Sequence, residues 1–160
     1  MRKSILSTFV IAAFLTVVVG CKNDKNKAET SEAKDAATAQ AEAMEFKVDT
    51  TASTIEWKGS KPTGEHTGTI KLAEGTFSAN DSIIESGSFV IDMQSINVTD
   101  LEGKDKKDLE AHLMGTVEGK EGDFFNATKY PEATFEVTEI TEKDGQKMLS
   151  GNLTIKEEPK

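Results

Sequence analysis

Six runs after residue 44 of this chain alternate apolar and polar residues with period two. Phe46 and Val48 alternate with Lys47 and Asp49, and Ile55, Trp57 and Gly59 with Thr54, Glu56 and Lys58. Ile70 and Leu72 alternate with Thr69 and Lys71, and Phe77 continues that face past a bulge expected at Gly75. Phe89, Ile91 and Met93 form a fourth run, Ala133, Phe135 and Val137 a fifth, and Leu149, Gly151, Leu153 and Ile155 a sixth. Successive side chains of a strand point to opposite faces, so each run has one apolar and one polar face. The pattern predicts an all-β chain: an antiparallel sheet with one wet face, or a barrel. Turn signals separate the runs at Lys61-Pro62-Thr63-Gly64, Ala79-Asn80-Asp81-Ser82 and Lys143-Asp144-Gly145.

One stretch breaks the period. Leu109, His112 and Leu113 recur at helical spacing, predicting a short helix over 105–114 capped by Asp105 and packed over a barrel end. Gly115 to Gly122, rich in glycine and charge, reads as a mobile loop. The chain then runs through Asp123-Phe124-Phe125 to Tyr130-Pro131, where proline forces extended geometry and re-aims the backbone. Two adjacent phenylalanines in a polar loop need an apolar seat. That seat is either a core end that the loop plugs or the mouth of a ligand cavity.

The N-terminal 44 residues are of another kind. Met1-Arg2-Lys3 precedes an apolar run from Ile5 to Val19, too short for a span of about 20 apolar residues but suited to a secretory signal. The run ends in Val18-Val19-Gly20-Cys21, which resembles a bacterial lipobox. That resemblance implies cleavage after residue 20 and diacylglyceration of Cys21, so the protein is expected in the cell envelope, anchored to a bacterial membrane and facing the periplasm or the surface. Residues 21–44 have no aromatic side chain and are expected to be a lipidated, disordered tether. Residues 45–160 form the domain.

Charge and residue usage exclude several classes. Without Arg2 and Lys3 the chain keeps 17 basic against 28 acidic side chains, a net charge near −11, and no arginine. Nucleic-acid binding relies on arginine and positive surface, so it is not expected. A single cysteine allows no internal disulfide, and no Cys/His set has zinc spacing. No Ser/His/Asp arrangement is visible, so neither catalysis nor a cofactor is expected. His66, on the face of Gly68 and Ile70, either meets a ligand head group or is a satisfied wall histidine; His112 reads as a packing residue. Trp57 either lines a cavity or fills the core, and its indole N–H needs one acceptor.

Together these residues resemble the YceI-like family of secreted, polyisoprenoid-binding proteins. The stretches that carry the resemblance are Phe46 to Asp49 with Ser53 to Trp57, Glu65 to Ile70, Gly87 to Ile96, Leu109 to Leu113, Asp123-Phe124-Phe125 with Tyr130-Pro131 and Thr134-Phe135, and Gly151 to Lys156. The resemblance implies a lipocalin-like antiparallel barrel of about eight strands around a long apolar cavity. Its expected ligand is an isoprenoid, a quinone-like lipid or another hydrophobic small molecule. The candidate lining comprises Ile55, Trp57, Ile70, Phe77, Phe89, Ile91, Met93, Phe124, Phe125, Phe135, Val137 and Leu153. Six strands are visible where the family has eight. The family usually continues beyond Thr154-Ile155-Lys156, so a chain incomplete at its C-terminus is expected. The alternative reading is a non-catalytic structural or interaction module of the envelope.

Overall fold

The computed structural model describes residues 31–81 and 83–159. The expected signal peptide, Cys21, Ser82 and Lys160 lie outside them. The described chain is an antiparallel sheet with one helix. Its strands are β1 (Met44–Lys47), β2 (Ile55–Lys61), β3 (Gly64–Asn80), β4 (Ile83–Val98), β5 (Glu132–Lys143), β6 (Gln146–Ile155) and β7 (Glu158–Pro159), with helix α1 at Gly103–Met114 between β4 and β5. All six expected strands are present, and β7 adds a two-residue pairing to β6. The sheet order is β1-β3-β4-β5-β6-β7, with β2 also on β3, and the sheet does not close on itself.

The 17-residue β3 is the spine. Its first part pairs with β2 from Gly64 to Ile70, and its last part pairs with β1 from Thr76 to Ala79. Asp49 shapes the chain between those partners: its Oδ1 accepts from Thr51 N at 2.9 Å, Thr51 Oγ1 at 2.6 Å and Ala52 N at 3.2 Å. These bonds, the Thr51 hydroxyl first, hold the Asp49 carboxyl below its ordinary pKa.

The bulge expected at Gly75 is not there. Gly75 stands in register opposite Phe89, and the shifts fall between Thr69 and Lys71, Leu72 and Glu74, and Ser78 and Ala79. The glycine serves packing instead, because a Cβ on it would lie 2.8 Å from the Phe89 ring and 2.9 Å from Val48. Four residues of β4, Met93 to Ile96, bulge against Ile70 alone. Asp92 Oδ1 accepts from Gln94 N at 2.9 Å, Ser95 Oγ donates to Asp92 O at 2.6 Å, and Lys71 N donates to Ser95 Oγ at 2.8 Å. The serine hydroxyl thus stands in for a ladder carbonyl. Past this bulge the inward phase moves from Ile91 and Met93 to Ile96 and Val98, and the last two are buried.

The helix starts two residues earlier than expected, and Asp105 is not its cap. Glu102 holds the N-cap position without a side-chain bond, and Asp105 lies in the first turn, where its charge suits the helix dipole. The C-terminal end is fully answered. The carbonyls of Ala111, His112, Leu113 and Met114 accept from the N–H groups of Thr116, Gly115, Phe125 and Ala127. The last two donors come from the phenylalanine loop, so that loop is hydrogen-bonded under the helix end. Leu113, Met114 and Phe125 pack there against Ile70, Met93, Ile96, Ala127 and Ala133.

Candidate functional site

The inner face of the sheet alternates large side chains with glycines. The Trp57 indole lies over Gly68, where a Cβ would come within 2.3 Å of both the ring and Asn97 O. Its Nε1–H donates to Thr69 O at 3.2 Å, which supplies the acceptor a half-buried indole requires. The Phe135 ring lies over Gly151 in the same way, with a would-be Cβ at 2.5 Å. Pairing in register then brings Phe89 opposite Phe135, and Ile91 opposite both Leu72 and Ala133. The Phe89 and Phe135 rings stand 6.4 Å apart, tilted by 38°.

These positions leave a cavity of about 350 Å³ between Ile55, Leu72, Phe89, Ile91, Phe135 and Leu153. It draws one or two residues from each of β2 to β6, and all six are apolar. Its size falls at the lower end of small-molecule pockets, roughly 300–1,000 Å³. No charged group faces it, so what it can do chemically is exclude water around an apolar chain.

Of the twelve residues expected to line a cavity, the structure brings five together here: Ile55, Phe89, Ile91, Phe135 and Leu153. Trp57, Ile70, Met93 and Phe125 sit in the core cluster at the helix end. Val137 is 1 % exposed on β5, outside both groups. Phe77 stacks on Phe46 at 5.3 Å on the β1–β3 pair. Phe124 is 55 % exposed and meets His112 edge-on at 4.5 Å. The residue that sequence reasoning left out of the lining is Leu72. Its signal was present, since it alternates in phase with Ile70.

The two histidines take structural partners. His66 Nδ1 lies 2.8 Å from Asp100 Oδ2, and Asp100 Oδ1 accepts the Thr67 N–H at 3.0 Å. The Thr67 bond first, then His66, holds the Asp100 carboxyl below its ordinary pKa. Among the described residues, no group of three or more His, Cys, Asp or Glu could hold a metal ion.

The family model described as the YceI-like domain matches residues 46–160. The chain belongs to the YceI-like family. YceI-like domains form a polyisoprenoid-binding family, which supports binding of a hydrophobic small molecule in general. The matched span begins in β1 and includes every residue lining the cavity. A search of curated proteins gives no match.

Proposed function

We propose that this YceI-like domain binds an isoprenoid, a quinone-like lipid or a similar amphiphile in the cavity between β2 and β6. In this reading Cys21 is lipidated, so the domain works at a bacterial membrane as a carrier or scavenger in the cell envelope. The observation that carries the reading is the convergence of six apolar side chains from five strands around about 350 Å³. Burying a few hundred Å² of apolar chain at about 25 cal/mol per Å² gives several kcal/mol before the costs of binding. Such a ligand needs shape and dryness from its host, and no reaction is assigned to the site.

The test is a titration with a short-chain prenylated quinone. The Leu72→Glu variant, with a carboxylate in the lining, is expected to bind about tenfold more weakly or worse. Equal binding by both proteins, at equal thermal stability, would remove the cavity from the account. Metabolic labelling with a radiolabelled fatty acid tests the anchor separately: the wild type is expected to take up label, and a Cys21→Ala variant is not.

A further inference from the structure

Pairing between β4 and β5 stops at Ser88 and Glu136. Beyond that point β4 stays with β3 as far as Asn80–Ile83, and β5 stays with β6 as far as Lys143–Gln146. The sheet therefore forks into two hairpins. The cavity residues Phe89 and Phe135 form the next pair inside the fork.

Residues 31–43 precede β1 and contain no helix or strand, yet they are held at three points across this fork. On β6, the Asn152 carboxamide accepts from Lys34 N at 2.9 Å and donates to Lys34 O at 2.6 Å. On β5, the carbonyl of Val137, one residue past the last β4–β5 pair, accepts from Ala37 N at 2.8 Å. On β4, Glu85 Oε2 accepts from Gln40 N at 2.7 Å. The segment thus crosses β6, β5 and β4 in order before entering β1, which pairs with β3. Ala37, Ala39 and Ala43 are half-buried along it, while their neighbours are exposed.

We propose that residues 31–43 are a releasable strap across the fork, and that its release admits a hydrophobic ligand to the cavity behind Phe89 and Phe135. This rests on the cavity reading above. The strap is held by main-chain bonds at three places and by small alanine side chains, so it opens at far lower cost than the sheet that carries it. Composition alone would make this segment a passive spacer. The contacts make it a part of the domain that can be detached without disturbing a strand register.

The test uses the mature chain with the substitutions Ala37→Pro and Gln40→Pro, which remove two of the donors and lie outside every strand. Asn152→Ala removes the third hold and is made separately, because it lies within β6. Hydrogen exchange over residues 31–43 is expected to accelerate in each variant, with the melting temperature nearly unchanged. Stopped-flow binding of N-phenyl-1-naphthylamine is expected to show association and dissociation both faster by about fivefold or more, at similar affinity. Binding at wild-type rates in variants whose strap exchanges freely would overturn the strap and leave the cavity standing. No binding of the probe by any form, the wild type included, would overturn the cavity reading and the strap with it.

Discussion

Single positions decide how the inner face is filled. Gly68 is the sharpest case, because its missing side chain is the space that the Trp57 ring and Asn97 O occupy. One of those neighbours is backbone and cannot turn away. Gly68→Ala is expected to lower unfolding stability by about 1–3 kcal/mol in urea titrations. Gly59→Ala supplies the contrast, since its Cβ would meet only the Trp57 ring edge, at 4.0 Å. That variant is expected to stay close to wild type. Asp100 makes a pH prediction. Its carboxyl is held below the ordinary value of 3.8 by the Thr67 N–H and His66, so its folded pKa lies below its unfolded one. The stabilisation is then fully present above about pH 4 and is lost as pH falls through the folded value. Wild-type stability is expected to fall more steeply with acid below pH 4 than that of Asp100→Asn. Parallel acid profiles would show that the carboxylate contributes nothing there.

At the scale of elements, α1 is fastened to the sheet by polar groups as well as by Leu113 and Met114. Glu110 Oε1 accepts the Val98 N–H at 2.9 Å and lies 3.2 Å from Lys106 Nζ, which also donates to Asn97 Oδ1 and Val98 O. Val98 is fully buried, so removing that acceptor leaves its N–H without a partner. Glu110→Ala is expected to cost about 1–3 kcal/mol, and Glu110→Gln, which keeps an acceptor oxygen, distinctly less. Thermal melts of the two variants compare them directly. Such fastenings mark the limit of what is legible in the sequence. The strands were readable because Ile55–Trp57, Phe89–Ile91 and Phe135–Val137 alternate strictly, and Asp144-Gly145 announces its turn with φ of 54° and 75°. The β4 bulge was not readable, because it depends on Ser95 replacing a ladder partner 24 residues away in sequence. The docking of residues 31–43 was not readable either. The main-chain N–H groups of Lys34, Ala37 and Gln40 make its three holds, and main-chain groups leave no mark in composition. The lining was legible as far as periodicity carries. It gave five of the six cavity residues but could not separate them from Trp57, Ile70 and Met93, which share the inward phase and lie deeper, at the helix end.

For the whole molecule, the two ends of the sheet differ. The helix end is filled: Phe125, Leu113 and Met114 pack against a buried cluster, and the phenylalanine loop is pinned to the helix carbonyls. The fork end is held by a strap, and the apolar cavity lies between them. Large apolar side chains are exposed on the fork-side hairpins and their neighbour β1, with Met44, Ile83 and Met148 about half exposed or more. A fold whose inner volume were simply a core would close that volume with side chains. Here Leu72, Phe89 and Phe135 leave room between them. Whether that room holds a ligand decides between a binding fold and a loosely packed core. Native mass spectrometry of the protein purified from a bacterial host tests this most directly. The expected result is a non-covalent adduct that is lost on denaturation, extracts into organic solvent as an apolar amphiphile, and is depleted in Leu72→Glu. A wild-type protein that carries no adduct and takes up no added prenylated quinone would contradict it.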